Sequence, residues 1–345
     1  MKNNERIILN YIQQFPQCSS KEIHENIPIE LGYATVKRLL ASLIEKELIL
    51  SFGNARATKY SVSPNHLVLS EIDLDKYFEK EIDERTIQSS FNFDLIQSTL
   101  PHIPLFTSTE IDKLNRLQFI YTENIKRLSE NQLSKELERL AIDLSWKSSQ
   151  IEGNTYSLLE TEQLLKDKLT ANGKTQTEAH MLLNHKEAID FIISNPDYLH
   201  PVSVSRIEDI HSLLIKDLGV NRNIRNHRVG ISGTNYQPLD NDHLIREAMQ
   251  HLCNVVNAKE SVFEKALLIL ILISYIQPFD DGNKRTARIV SNACLIHHGY
   301  CPISFRTVDS IHYKKAMLLF YEQNNISAFK SIFIDQFEFA VKTYF

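Results

Sequence analysis

The sequence predicts a mainly α-helical protein that begins with a small α+β region. Nine glycines in 345 residues are few, and apolar residues recur at helical spacing along most of the chain. The continuous apolar run from Ala266 to Tyr275 predicts a buried helix, and a second helix is expected to start near Lys284. Neither an internal repeat nor a low-complexity tract is present. The length therefore allows two or three domains.

Composition narrows the classes of protein that this chain can represent. It is 43% hydrophobic and 23% charged, which is ordinary for a globular protein. The net charge of −5 excludes a generic polyanion-binding surface, so any nucleic-acid contact must come from a local patch. The polar N-terminus lacks an apolar signal core, and the longest apolar run is too short to span a bilayer. We therefore expect a cytoplasmic location and no membrane partner.

The cysteines predict neither disulfides nor a cysteine–zinc site. No two of them form a C-x-x-C pair, which argues against zinc binding through thiolates. We expect reduced, buried thiols at Cys18, Cys253, Cys294 and Cys301.

Residues 1–65 show the pattern of three helices followed by two strands. Helical spacing covers Glu5–Gln14 and Thr35–Glu47, and Ser19 is placed to cap a short helix between them. Leu48–Phe52 and Thr58–Val62 read as strands around a glycine turn. This order resembles a winged helix-turn-helix, in which the third helix enters the major groove of DNA and the wing contacts its backbone.

The charge of this first domain leaves two roles open. Eight basic and six acidic residues lie between positions 1 and 65, an excess of two that is modest for neutralising phosphates. DNA binding and a purely protein-binding role are therefore both retained. The candidate DNA contacts are Tyr33, Thr35, Lys37 and Arg38 on the third helix, with Arg56 and Lys59 on the wing.

The most informative stretch runs from Ile276 to Arg288, between the two long helices. An Asp-Asp-Gly-Asn turn opens the second helix, whose first turns carry Arg285 and Arg288. Free N–H groups of a turn and of a helix N-terminus form an anion site. The two arginines are three positions apart and can grip one polyphosphate. Asp281 is a hard oxygen ligand that suits an accompanying Mg²⁺.

These residues resemble the signature of the Fic family, His-x-Phe-x-(Asp/Glu)-Gly-Asn-(Gly/Lys)-Arg-x-x-Arg. The resemblance implies a Fic-fold helical bundle with a β-hairpin flap, and transfer of AMP from ATP to a protein hydroxyl. Gln277 stands where the family has the histidine that deprotonates this hydroxyl. The match covers Phe279, Asp281, Gly282, Asn283, Lys284, Arg285 and Arg288.

The same resemblance implies a role for each matching residue, with ATP and Mg²⁺ as the ligands. Gln277 and Asn283 occupy the catalytic positions, and Asp281 is the expected Mg²⁺ ligand. Asn283 is expected to contact the α-phosphate, and Arg288 the γ-phosphate. The β-phosphate is expected to be held by Arg285 and by the N–H groups of the turn that includes Gly282 and Lys284.

A second segment resembles the inhibitory motif of Fic proteins, (Ser/Thr)-x-x-x-Glu-(Gly/Asn). From the residues alone, Gly153 predicts only the end of a helix. Ser148, Glu152 and Gly153 occupy the motif's positions. The resemblance implies that Glu152 pairs with Arg288 and that bound ATP then takes a pose that is poor for transfer. It also implies a linker with an N-terminal helical extension over residues 66–160, and a Fic core with C-terminal helices over 161–345.

Residues Arg225–Pro238 predict a short hairpin. Val229 and Ile231 alternate with polar positions, and glycines and a proline bound the segment. In Fic proteins such a hairpin is the flap, which pairs with an extended segment of a target protein by β-augmentation. We therefore expect an unidentified target protein to dock here.

Gln277 leaves several functions open. Glutamine has no titratable nitrogen, so a Fic-type adenylyltransferase with Gln277 is expected to be slow. Lys284 also occurs in Doc kinases, which transfer a phosphate, and Glu152 suits AMP removal. The runner-up is an ATP-binding pseudoenzyme that regulates transcription through its winged helix. A third hypothesis is that the protein binds another Fic protein, and formation of a homodimer also stays open.

Overall fold

The computed structural model describes residues 3–345, apart from the side chain of Arg56. The chain divides into two compact units, Met1–Glu71 and Ile72–Phe345. The three-segment division with limits at 65 and 160 stays a prediction. No helix within the described residues combines the length and apolar character that crossing a bilayer requires.

The first unit is a winged helix, as the sequence predicted. Its three strands form an antiparallel sheet in the order β1-β3-β2, and the short strand β1 was not anticipated. The helices are α1 (Asn3–Gln14), α2 (Ser20–Asn26), α3 (Tyr33–Glu45) and α4 (Pro64–Leu69), and the strands are β1 (Cys18–Ser19), β2 (Ile49–Phe52) and β3 (Lys59–Val62).

Capping and apolar spacing explain the local structure of this unit. Ser19 caps α2 in a reciprocal capping box with Glu22, which satisfies two backbone N–H groups. The apolar positions of α1 and α3 face one another and are fully buried at Ile8, Val36 and Leu43. The winged helix thus has its own core, although it is small.

The second unit is mainly helical, which confirms the predicted fold class. Its helices are α5 (Leu74–Tyr77), α6 (Ser108–Ile125), α7 (Glu130–Ile151), α8 (Leu158–Asp167), α9 (Gln176–Ser194), α10 (Val204–Leu214), α11 (Asp242–Ala258), α12 (Val262–Ile276), α13 (Asn283–His297), α14 (Ser310–Gln323) and α15 (Ser327–Tyr344).

Helix α12 is the central element of this unit. Every residue of α12 except Lys265 is buried, as expected for a helix that is apolar on all sides. Helix α12 packs most extensively against α13. The turn singled out in the sequence connects these two helices. The turn is therefore anchored between the two most buried helices, and its backbone geometry is fixed by them.

The prediction of a hairpin over Arg225–Pro238 was wrong, because the described structure has no paired strands within this segment. The segment makes a single parallel bridge, between Ser90 and Gln237. Side chains hold its backbone in place of a strand ladder, and Arg85 donates to the carbonyl of Gly233 at 2.7 Å. The segment is thus an extended loop with strand-forming groups still available.

Because α12 is central, a leucine-to-alanine substitution there should lower the free energy of unfolding far more than the same substitution on an exposed helix face. Leu270 in α12 is 0% exposed, whereas Leu159 in α8 is 76% exposed. Leu270→Ala should lower the free energy of unfolding by about 2–5 kcal/mol because it leaves a cavity. Leu159→Ala should change it by less than about 0.5 kcal/mol. Urea unfolding of the full chain measures both, and equal effects would contradict the assigned core.

Candidate functional site

The turn between α12 and α13 is shaped by two residues with left-handed backbone conformation. Gln277 ends α12 at φ +52°, and Gly282 precedes α13 at φ +80°. Glycine adopts such a conformation without the strain that a Cβ adds. A Cβ at position 282 would also lie 3.4 Å from Cγ2 of Ile215. The turn therefore directs the N-terminus of α13 toward a cavity.

This cavity has a volume of about 390 Å³. It lies between the turn, the C-terminal end of α7, helix α14 and the loop that was predicted as a flap. The lining includes Glu152, Ser232, Gln277, Asp281, Lys284 and Tyr321. The structure thus brings together residues from all three sequence segments that the resemblance had linked.

Two side chains hold the turn from outside the cavity. His211 stacks on the ring of Phe279, with centroids 3.6 Å apart, and its Nε2 donates to the carbonyl of Asp281 at 2.9 Å. Arg225 donates from Nε to the carbonyl of Gln277 at 2.7 Å. Arg225 had been noted in the sequence, but His211 had not, because a single histidine on an apolar helix face gives no distinctive signal.

Arg285 is buried at the N-terminus of α13 with much of its guanidinium unsatisfied. The side chain is 1% exposed, and its Nη2 donates to Oδ2 of Asp281 at 2.8 Å. Nε and Nη1 have no hydrogen-bond partner among the described residues. Burying unpaired donors of a cation is unfavourable, so the arrangement suits an anion. The Asp281 side chain is 61% exposed and keeps a second carboxylate oxygen.

Arg288, one helical turn further on, is completely buried and paired with Glu152. Its Nη2 donates to Oε1 of Glu152 at 2.8 Å, and Nζ of Lys284 lies 3.3 Å from Oε2 of the same carboxylate. Burial raises the pKa of Glu152, but the charges of Arg288 and Lys284 outweigh it and leave the pKa below its ordinary value. Glu152 is therefore ionised near neutral pH.

Ser148 and His185 extend this contact into the core. Nε of Arg288 donates to Oγ of Ser148 at 2.8 Å, and Nη2 donates to the Ser148 carbonyl at 3.0 Å. Burial and the nearby arginines hold the pKa of His185 well below its usual value, so its ring is neutral. Oγ of Ser148 is also hydrogen-bonded to Nε2 of His185, 2.7 Å away. Sequence analysis singled out Ser148 and missed His185.

The helix that carries Glu152 ends just before Gly153, as the sequence predicted. Helix α7 stops at Ile151, Glu152 is its C-cap, and Gly153 has a φ of +101°. Because α7 is also buried along its last turns, the carboxylate enters the cavity from a rigid element. The position of Glu152 is therefore set by the helix and its glycine stop.

The amides of Gln277 and Asn283 are bonded to each other and to the turn. Nε2 of Gln277 donates to the carbonyl of Ser274 at 2.6 Å, and its Oε1 accepts from Nδ2 of Asn283 at 3.0 Å. Asn283 also donates to the carbonyl of Phe279 at 2.8 Å and accepts from its N–H at 2.9 Å. Both amide hydrogens of Asn283 are thus engaged within the turn, and its contact with an α-phosphate stays a prediction.

In the first unit, the candidate DNA contacts on α3 differ in exposure and are spread around the helix. Lys37 and Arg38 are exposed and Thr35 is half-buried. The hydroxyl of Tyr33 is bonded to Oγ of Ser20 at 2.8 Å. Two of the four candidates therefore present free positive charge on this helix.

The wing contributes less than the sequence suggested. Nζ of Lys59 lies 3.0 Å from Oε2 of Glu22, so its charge is neutralised within the unit. Together with the bonds from Ser19, this pairing lowers the pKa of Glu22 to about 2. The candidate side chain of Arg56 lies outside the described part of the structure.

Two families account for separate parts of the chain. Residues 201–295 match the Fic/DOC family. Residues 2–116 match the penicillinase repressor family. The first match contains the turn, both arginines and Gln277, and the second contains the winged helix.

Proteins named protein adenylyltransferase Fic are similar to half of the chain. The one from Nematostella vectensis is 29% identical over 182 residues, which are 49% of this chain and 40% of that protein. The one from Aedes aegypti is 27% identical over 184 residues, which are 50% of this chain and 36% of that protein. The chain thus matches well under half the length of these curated relatives.

Solved structures show the same fold at low identity. A Fic-1 fragment from C. elegans superposes with a TM-score of 0.60 and 19% identity, covering 69% of this chain and 72% of that one. A Fic-domain-containing signaling protein from Bacteroides thetaiotaomicron gives 0.55 and 19%, covering 67% and 96%. The chain therefore carries a Fic/DOC family domain, together with an N-terminal winged-helix domain of the penicillinase repressor type.

Proposed function

We propose that the second unit is a Fic-type protein adenylyltransferase that is inhibited by its own Glu152 and slowed by Gln277. The observation that carries this proposal is the buried pair of arginines at the N-terminus of α13, with Glu152 bound to the second of them at 2.8 Å. The relatives named protein adenylyltransferase support the reaction class.

The turn supplies the groups that ATP and Mg²⁺ would need. The first N–H groups of α13 lack partners within the helix and interact favourably with negative charge. Arg285 adds two buried donors that have no partner among the described residues. Asp281 fits a Mg²⁺ ligand, because Mg²⁺ keeps several waters and takes one or two carboxylates beside the phosphates. When bound, Mg²⁺ would neutralise phosphate charge during transfer.

Glu152 provides the inhibition in this proposal. A guanidinium and a carboxylate form strong, oriented hydrogen bonds, and a phosphate oxygen would seek the same donors. Nη2 of Arg288 is already bonded to Glu152 and to the Ser148 carbonyl. A γ-phosphate can therefore reach Arg288 fully only after Glu152 has moved or has been removed.

Gln277 limits the chemical step. In AMP transfer, a hydroxyl oxygen forms a bond to the α-phosphorus, the bond to pyrophosphate breaks, and the hydroxyl proton must leave. Gln277 cannot accept that proton, and both ends of its amide are bonded to Ser274 and Asn283. General-base catalysis contributes about 10²–10⁴-fold, so the transfer proceeds slower by that order.

The loop Arg225–Pro238 is the proposed docking site for the target protein. Gly230, Ile231 and Ser232 line the cavity directly opposite the turn. The segment between them and Tyr236 forms no strand pairs within the described structure. Because the loop has no strand partner of its own, an extended target segment could pair with its backbone, which would bring a hydroxyl over the nucleotide.

The second candidate is an ATP-binding regulator that performs no transfer and acts through the winged helix. Gln277 favours it, since this residue cannot accept a proton and both ends of its amide are bonded to Ser274 and Asn283. The match of residues 2–116 to penicillinase repressors supports a role in transcription. Both candidates share the nucleotide site, and they differ in whether AMP is transferred.

Labelling with α-labelled ATP and Mg²⁺ separates the two candidates. We expect faint protein labelling by Glu152→Gly, and labelling stronger by about 10²–10⁴-fold by Glu152→Gly with Gln277→His. Wild type should remain unlabelled because Glu152 blocks the productive pose. Gel autoradiography of the protein and of a cell lysate measures the product.

The control adds Arg288→Ala to the double variant, and this triple variant should show no label. If only proteins that contain Gln277→His are labelled, the result would favour the regulator. No label in any variant, despite measured ATP binding, would contradict the adenylyltransferase.

Removing the competing carboxylate should tighten ATP binding. Glu152→Gln keeps the size of the side chain and loses the charge that Arg288 now neutralises. A hydrogen bond to a charged group contributes about 1.5–3 kcal/mol, so the Kd for ATP·Mg²⁺ should fall by about 10–100-fold. Isothermal titration calorimetry measures it, with Glu187→Gln, an exposed glutamate on α9, as the matched control. Equal affinities in the two variants would count against inhibition by Glu152.

DNA binding by the winged helix is tested separately. Arg38→Ala should weaken binding to genomic DNA fragments and reduce the salt slope of the binding constant by about one unit. Lys21→Ala, on α2 and ion-paired at 3.7 Å with Glu25, should have no such effect. Gel shifts at low and moderate salt measure this. Absence of a shift by wild type at low salt would exclude DNA as the partner.

A further inference from the structure

Three histidines meet where the C-terminal end of α13 lies beside the segment that precedes α10. One ring nitrogen each from His200, His297 and His298 lies within 4.8 Å of the others. His200 is exposed, and the two α13 residues are half-buried. The rings pack closely, with centroids of His200 and His297 at 4.0 Å and of His297 and His298 at 4.7 Å. None of these residues takes part in the proposed nucleotide site.

Two of the histidines are oriented by hydrogen bonds to their other nitrogen. Nδ1 of His297 lies 2.9 Å from Oδ1 of Asp197, and Nδ1 of His298 lies 2.9 Å from the Cys294 carbonyl. A histidine that donates through Nδ1 keeps Nε2 as a free acceptor of fixed direction. Carboxylates and backbone carbonyls are the partners that orient metal-bound histidines in proteins.

The electrostatic setting favours a cation at this point. His297 is the last residue of α13 and His298 is its C-cap, where the helix dipole presents negative partial charge. Asp197 adds a carboxylate. Lys265 lines the same cavity as these histidines and opposes a cation there, but its Nζ donates to the carbonyls of Val256 and Asn257 at 3.0 and 3.2 Å.

We propose that His200, His297 and His298 form a binding site for one divalent transition-metal ion of the Zn²⁺ type. Zinc takes imidazole nitrogens at about 2.0–2.1 Å in tetrahedral geometry, which places the three nitrogens about 3.3 Å apart. The nitrogens now lie within 4.8 Å of one another, and the stacked rings of His200 and His297, whose planes differ by 15°, would turn so that their nitrogens converge on the ion. Water completes the fourth position, and neutral imidazoles select Zn²⁺, Cu²⁺, Ni²⁺ or Co²⁺ over Mg²⁺ and Ca²⁺.

The ion would join two parts of the second unit that are far apart in sequence. Asp197 and His297 are 100 positions apart along the chain, and the metal fastens the segment before α10 to the end of α13. Arg285 lies twelve residues earlier on α13, about 18 Å away at 1.5 Å per residue. The metal site is therefore distinct from the anion site at the other end of this helix.

The test uses the full chain with Zn²⁺ alone, and Co²⁺ as a spectroscopic probe. Wild type should bind one Zn²⁺ per chain by titration calorimetry, and Co²⁺ should give the visible bands of a tetrahedral nitrogen site. His200→Ala and His298→Ala should each weaken Zn²⁺ binding by at least about 100-fold, and Asp197→Asn by about 10–100-fold. His312→Ala, an exposed histidine on α14, is the matched control and should bind as wild type does.

Circular dichroism without metal checks that each variant is folded, and His200 is exposed enough for its replacement to be tolerated. The proposal is overturned if wild type binds no stoichiometric Zn²⁺. It is equally overturned if folded His200→Ala and His298→Ala bind as tightly as His312→Ala.

Discussion

The buried ion pair between Arg288 and Glu152 is the constraint around which the second unit is organised. Arg288 is 0% exposed, and a buried guanidinium without a counter-charge is strongly destabilising. Some anion must therefore occupy this position, whether a carboxylate from α7 or a phosphate from a ligand. Because Ser148 and neutral His185 hold the inner side of the guanidinium, Arg288 stays in place while its partner changes. In the function proposed above, Arg288 would therefore serve both inhibition and nucleotide binding.

Gln277 contributes to the shape of the turn, although its side chain cannot act as a base. Its left-handed backbone and its bonds to Ser274 and Asn283 complete the turn that exposes the N-terminus of α13. Arg225 and His211 support that turn from outside the cavity. The anion site therefore does not depend on a titratable residue at position 277, whereas proton removal from a target hydroxyl does. Under the proposed function, nucleotide binding and AMP transfer would therefore be separable.

The sequence predicted what depends on local pattern and on linear motifs. The long helices and the wing strands followed from apolar spacing and glycine stops. The approach of Glu152 to Arg288 was implied by the resemblance of two motifs to those of the Fic family. Contacts between distant segments carried no such signal. The strand β1, the support of Asp281 by His211, and the meeting of His200 with His297 arise only from tertiary packing. The flap loop failed as a hairpin because side-chain bonds to its carbonyls replaced a strand ladder.

The proposed role of Arg288 can be tested by a crystal structure of Glu152→Gly with Mg²⁺ and a non-hydrolysable ATP analogue. We expect the γ-phosphate to lie within hydrogen-bond distance of the Arg288 guanidinium, in the place where Oε1 of Glu152 now lies 2.8 Å from Nη2. We also expect Mg²⁺ to be bound by Asp281. A nucleotide bound elsewhere, or an Arg288 that turns to a new protein partner and leaves the cavity without phosphate, would contradict the proposed role.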